Sequence, residues 1–422
     1  MNFYEEQVVK LERRIKKIEE NPDETRMASN KLRYQMQLDH AKEKLQAWQE
    51  GKIFYSGGTG AYLGNLIQAM GFISGGADEA MFASTRAQAE DYLNQARAKG
   101  FPVDQSCDMV MMPMAVFESG NVPIQDMAIC DNHACTAMCM RYILISHMYP
   151  EHNIPFYNID VGFEEDEANL EHVVEQLQGF IEFCEKKFPG KIKYDEEKLK
   201  KIHAAQERDK KYSLEMYEML KNRPTPIAGK DSHMIGFSSM YPEMSMARLK
   251  ELRERVKNGV AAVPNEKLRV IWTVTNPVFM DVYKVLAKWG IAVLFQYTGP
   301  SRRTIPMPEP VYYGGRELTP LEKEAANYIS ELWQGRASKW IEGLIWAARD
   351  LKVDAVINYE MLGCAATLGL SKLTEIEVER ELGIPVFQLE GSQWNSEYAS
   401  EAQITEKLDE IAQTLLSQKG LL

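Results

Sequence analysis

Residues 126–160 read DMAICDNHACTAMCMRYILISHMYPEHNIPFYNID, and residues 354–390 read DAVINYEMLGCAATLGLSKLTEIEVERELGIPVFQLE. Each stretch opens on an aspartate, Asp126 or Asp354, followed by a short apolar run. A turn then carries one cysteine, Cys135 or Cys364. A helical stretch follows, and a second apolar run opens with Ile-Pro, at Ile154-Pro155 and at Ile384-Pro385. The spacings in the two stretches differ by about one residue, which marks an internal repeat. Short apolar runs separated by a helical segment read as strand–helix–strand units of a parallel sheet covered on both faces.

Working outward, the openings of the two halves repeat more faintly. KIFYSGG (52–58) and the helical TGAYLGNLIQAMGF (59–72) stand before the first unit. LRVIWTV (268–274), FMDVYKVLAKWG (279–290) and IAVLFQY (291–297) stand before the second. Between the halves the chain is charged and helical, as in NLEHVVEQLQGFIEFCEKKF (169–188). Residues 1 to about 50 hold two amphipathic helices, LERRIKKIEE (11–20) and LRYQMQLDHAKEKLQAW (32–48), broken at NPDETR (21–26). The expected fold is therefore α/β, with two similar parallel-sheet domains. A helical arm or hairpin should span 1–50, a first α/β domain 51–165, a helical connecting region 166–265, and a second α/β domain 266–422.

A net charge of −12 argues against nucleic acid as a partner, since a phosphate backbone calls for a basic face. No apolar run of about 18 residues is present, so no membrane span is expected. The N-terminal MNFYEEQVVKLERR lacks a secretory pattern, which points to the cytoplasm and to six reduced cysteines. In such a chain, thiols serve as core residues or as metal ligands.

Functional groups collect beyond the carboxyl ends of the strands of an open parallel sheet. Cys135 and Cys364 both sit there, at the start of a helix whose N–H groups favour thiolate and can bond cluster sulfides. Two facing domains bring the pair into one cleft, and Cys107, in the loop ahead of the first unit, is within reach of it. Burial as a small hydrophobe remains the other reading for any one of them. Cys184 lies in an amphipathic helix and reads as core. CDNHACTAMC (130–139) superficially resembles a compact cluster motif. Cys130 reads as the buried end of a strand, and Cys139 as core or a fourth ligand. His133 and Glu118 are candidates for proton transfer. MVMMPMAVF (109–117) reads as adaptable core or a soft apolar lining. SGGTG (56–60) lacks the Lys-Ser/Thr of a phosphate loop, so ATP is not expected to bind this chain.

From about residue 30 to the C-terminus the chain resembles the iron–sulfur subunits of the 2-hydroxyacyl-CoA dehydratase and class I benzoyl-CoA reductase family. The matching segments are GFPVDQSCDMV (100–110), VPIQDMAICDNHAC (122–135), NIPFYNID (153–160), KNRPTPIAG (221–229) and KVDAVINYEMLGC (352–364). The last is ERELGIPVFQLEGSQWNSEYASEAQ (379–403). Carried over position by position, the resemblance places the family's cluster ligands at Cys107, Cys135 and Cys364. It implies a [4Fe–4S] cluster with one iron free of protein cysteine. It also implies an acyl-CoA substrate and a second homologous iron–sulfur subunit or a second copy of this chain. A separate ATP-hydrolysing iron–sulfur protein would deliver one low-potential electron.

Either 2-hydroxyacyl-CoA dehydration or aromatic acyl-CoA reduction fits the resemblance, with KNRPTPIAG and LGLSKLTEIEVER (368–380) leaning to the second. Many relatives carry acidic residues where this chain has Glu390, Ser392 and Asn395, and Lys-Trp where it reads CMRYILI (139–145). These departures bear on substrate and reaction and leave the three cysteines untouched. The alternatives are an electron-relay or structural subunit whose partner binds substrate, and a cluster-free binding protein of two lobes.

Overall fold

The computed structural model describes residues 2–21, 26–57, 63–119, 122, 124–132, 135–233, 235, 242–298 and 304–422. Two four-stranded parallel sheets organise them. The first contains β1 (Phe54–Ser56), β2 (Ile73–Ser74), β3 (Met127–Asp131) and β4 (Phe156–Ile159), in the order β2-β1-β3-β4. The second contains β5 (Leu268–Thr273), β6 (Ile291–Tyr297), β7 (Ala355–Met361) and β8 (Val386–Gly391), in the order β6-β5-β7-β8. Each half thus runs second, first, third, fourth, and the expected pair of similar α/β domains is present.

The repeat extends to single hydrogen bonds. The carboxylate of Asp126 accepts from the Phe54 N–H at 2.8 Å, and the Asp126 N–H donates to the Phe54 carbonyl at 2.8 Å. Asp354 does the same with Arg269, at 2.9 and 2.8 Å. The carbonyls of Pro155 and Pro385 accept from Ala128 and Val356, at 2.9 and 3.1 Å. The two residue types that flag the repeat in sequence are those that fix strand register in three dimensions.

Every residue of β3, β5 and β6 is buried, as expected where helices cover both faces of a sheet. Alternation along β3 sends Met127 and Ile129 into a core with Leu66, Leu170 and Phe180. Ala128 and Cys130 face the opposite core, with Met114, Tyr142 and Ile145. In the second sheet Ile271 and Leu294 pack with Tyr217, Leu344 and Val378, while Val270, Trp272 and Tyr359 pack with Leu286 and Leu408.

Several helices serve both halves. Helix α1 (Phe3–Glu20) sends Phe3 and Tyr4 into the first core beside Phe54, and Met27 enters the second core just before α2 (Ser29–Gln49). Asp231 ties that corner down, accepting from Arg26 Nη2 at 2.7 Å and Asn30 Nδ2 at 2.9 Å. The arm is therefore anchored in both cores. Counting on along the chain, α9 (Glu196–Met219) gives Leu199 to the first core and Met216 to the second. Helix α13 (Pro320–Ile329) lies between β6 and β7 in sequence, yet its Ala325, Tyr328 and Ile329 complete the core of the first sheet. Among the described residues no helix is long and apolar enough to cross a membrane.

Candidate functional site

Cys107, Cys135 and Cys364 each occupy the residue that caps the N-terminus of a helix. Cys107 precedes α6 (Asp108–Glu118), Cys135 precedes α7 (Thr136–Met148), and Cys364 precedes α15 (Ala365–Leu382). The first turns close on the cysteine carbonyls, which accept from Val110 at 2.9 Å, Met138 at 3.1 Å and Leu368 at 3.0 Å. Cys135 and Cys364 follow β3 and β7, the repeat-equivalent strands at the point where strand order reverses in each sheet.

The three cysteines converge. Cys107 is buried among Val110, Met111, Met112, Met138, Met361 and Trp394, and the half-buried Cys135 and Cys364 pack against the same cluster. The first and third cysteine loops lie backbone against backbone. Gly363 has φ +69°, and a Cβ built there would lie 2.3 Å from the Cys107 nitrogen and 2.3 Å from the Ser106 carbonyl carbon. Only a residue without a side chain lets the two loops lie this close.

The electrostatics describe a site in want of positive charge. Burial pushes the Cys107 thiol well up, Asp108 and then Cys364 push it further, the Met109 N–H opposes them, and Cys135 adds a smaller push upward. Burial likewise raises Cys135, opposed by the Met138 N–H; Cys364 raises it and Arg141 lowers it. Cys364 thus acts on both Cys107 and Cys135, and a bound cation reverses the sign at those two by deprotonating them outright. Among the described residues no three His, Cys, Asp or Glu side chains converge on a single ion. Ligands of a cluster each bond a different iron and have no need to. Three soft sulfur donors around an apolar, methionine-lined space fit an iron–sulfur centre in donor chemistry.

Two buried polar groups hold the helices in place. Asp108 reaches across to the second half, accepting from the Ser392 hydroxyl, the Trp394 N–H at 2.7 Å and the Asn395 N–H at 3.3 Å. Arg141 on α7, only 1% exposed, pairs with Asp78 at 2.7 Å and donates to Tyr142 at 2.7 Å. It also donates to the Met109 carbonyl of α6 at 3.0 Å, and so ties the Cys135 helix to the Cys107 helix. Neither residue stands out in sequence. Asp108 looks like any acidic first-turn residue, and its partners lie more than 280 positions away. Replacing Asp108 with Ala leaves a hydroxyl and two buried N–H groups without their acceptor. This should lower stability by on the order of 3 kcal/mol, measurable by denaturant titration.

The other candidates separate. Cys184 is fully buried in the first core, where burial raises its thiol to about 12, so it is a packing residue. Met111 and Met112 line the cysteine cluster, whereas Met114 and Val116 of the same run pack in the first core. Cys130 is the next-to-last residue of β3, buried in the core, and faces Cys139. His133, residues 58–60 of the glycine run and the side chain of Glu118 lie outside what is described. KNRPTPIAG braces the second half: Ile227 is in its core, and the Gly229 N–H donates to Val293 of β6 at 2.8 Å. Of the closing block, Ser392 and Asn395 donate to Asp108, and Glu390 accepts from the Tyr398 hydroxyl.

Two parallel sheets of one topology, with three helix-capping cysteines from both halves in one apolar cluster, define an α/β protein of two similar halves. The chain belongs to the 2-hydroxyglutaryl-CoA dehydratase D-component family, whose model matches residues 64–415 and so takes in all three cysteines. It is 27% identical over 308 residues to the (R)-2-hydroxyglutaryl-CoA dehydratase subunit alpha of Acidaminococcus fermentans. That alignment spans 70% of this chain and 61% of the relative, so it leaves more than a third of the relative uncovered. It is 22% identical over 361 residues to the (R)-phenyllactyl-CoA dehydratase alpha subunit of Clostridium sporogenes, spanning 81% of this chain and 84% of that one.

Proposed function

We propose that this chain is the cluster-holding subunit of a 2-hydroxyacyl-CoA dehydratase, with Cys107, Cys135 and Cys364 as ligands of a [4Fe–4S] centre. The observation that carries this reading is the convergence of three helix-capping cysteines, drawn from both halves, on one apolar cluster. Both named relatives are dehydratase subunits, which favours dehydration over ring reduction. Bound there, the cluster supplies a one-electron carrier with one iron not held by a protein thiolate.

The chain's own residues supply the rest. Three thiolates set the charge, and helix N–H groups at Met109 and Met138 temper it. The methionines and Trp394 bury Cys107 and pack against the half-buried Cys135 and Cys364. Asp108 and Arg141 hold the loops at fixed separation. No phosphate loop is recognisable in the chain, so the energy for low-potential reduction comes from a separate ATP-hydrolysing donor, and the relatives' naming as alpha subunits favours a partner subunit.

The test is anaerobic turnover with the partner subunit, the ATPase donor, reductant and ATP, each omitted in turn. One of a panel of (R)-2-hydroxyacyl-CoAs should lose water, with every component required, while benzoyl-CoA persists. Consumption of benzoyl-CoA with the whole hydroxyacyl panel untouched would overturn the assignment in favour of ring reduction.

A further inference from the structure

Two of the cysteines outside the cluster site, Cys130 and Cys139, are not ordinary core residues. The Sγ atoms of Cys130 and Cys139 stand 2.8 Å apart. Cys130 sits near the end of β3, fully buried, and pairs in register with Asn158 of β4. Cys139 lies on α7 one turn beyond Cys135, and it is the more exposed of the two. Its sulfur also lies 2.8 Å from the Asp131 carbonyl oxygen and 3.0 Å from Asn158 Oδ1, alternative acceptors for its single S–H that hold it against the strand end. The Cys130 thiol reaches the same amide oxygen at 3.6 Å. A disulfide has its sulfurs about 2.05 Å apart, so bonding requires closure by less than an ångström.

We infer that Cys130 and Cys139 form a reversible dithiol–disulfide site, separate from the cluster ligands and oxidised by hydrogen peroxide. The more exposed Cys139 meets the oxidant first. One peroxide oxygen passes to its sulfur, giving a sulfenic acid and one water. The Cys130 sulfur then displaces hydroxide from that sulfenic sulfur, which leaves with the Cys130 proton as a second water. Two thiols thus lose two hydrogens and two electrons to one peroxide, and a thiol reductant restores them. The bond fastens α7 to β3 directly behind Cys135, which stiffens the turn that carries the cluster ligand.

The experiment uses the full chain, purified without oxygen, treated with equimolar peroxide and then blocked with an alkylating agent. Cleavage before aspartates and after arginines separates residues 126–130, holding Cys130, from residues 131–141, holding Cys135 and Cys139. The expected product is the two peptides joined and two hydrogens lighter in most chains, with Cys135 not part of the link. Dithiothreitol should reverse it. Cys139→Ser should abolish the link and Cys184→Ser should keep it. If that variant fails to fold, the wild-type peptide map alone decides. Separate alkylation of Cys130 and Cys139 after peroxide, or a link through Cys135, would overturn the inference. The readout is a peptide mass, so it stands or falls independently of iron content.

Discussion

Cys364→Ala protein, isolated without oxygen, should lose most of the about four irons and four sulfides expected per chain of a cysteine-held [4Fe–4S] centre. The reason is positional. Cys107 and Cys135 both come from the first half, and Cys364 is the one member of the set that the second half contributes. Alanine removes that thiolate, and Met361 and Trp394 beside it offer no comparable ligand. Folding should survive, because Cys364 is only half-buried and caps α15 without a side-chain hydrogen bond. Cys184→Ala is the control: it removes an equally free thiol from a core remote in sequence from the three loops and should leave iron content unchanged. Full iron in the Cys364 variant would remove it from the ligand set.

Gly363→Ala should damage the same centre with every thiol still present. The added Cβ meets the backbone of Ser106 and Cys107 at 2.3 Å, where no side chain can swing away. The residue would also have to hold φ +69°. Left-handed strain and overpacking together should cost on the order of 3 kcal/mol or more, relieved in part by the two cysteine loops moving apart. Lower Tm and lower iron per chain should therefore appear together. Gly383→Ala separates the two causes. Gly383 has φ +65°, yet a Cβ there meets nothing within 4 Å, so its variant should carry the backbone strain alone and keep its iron. Wild-type iron and Tm in Gly363→Ala would show that the loops need not be this close.

The sequence made the sheets legible because parallel strands are buried on both faces and read as unbroken apolar runs. LRVIWTV, IAVLFQY and DAVINYE land on β5, β6 and β7 within a residue. The two-residue β2 carries no such signal. The cysteines were legible through the repeat, which placed Cys135 and Cys364 alike. What sets their separation was not. Asp108 finds its partners, Ser392, Trp394 and Asn395, only after folding, and a pattern reader sees neighbours three or four positions apart. Gly363 looks like a turn glycine until the Cys107 backbone is laid against it. Arg141 reads as a helix-surface cation, whereas its guanidinium is buried against Asp78. Cys130 and Cys139 are nine residues apart, and their pairing follows from how α7 lies across β3.

The placement of α13 bears on how the molecule is made. Ribosomal synthesis finishes the last strand of the first sheet at Ile159, but that sheet's core lacks Ala325, Tyr328 and Ile329 until twice that length has been translated. The early half must wait, incompletely covered, while the later half begins to assemble around β5 and β6. On the proposed ligand set, iron loading would come later still, since Cys364 emerges after both. The nascent chain thus has a long interval of exposed apolar surface and unmetallated thiols, in which chaperones and a reducing environment matter most.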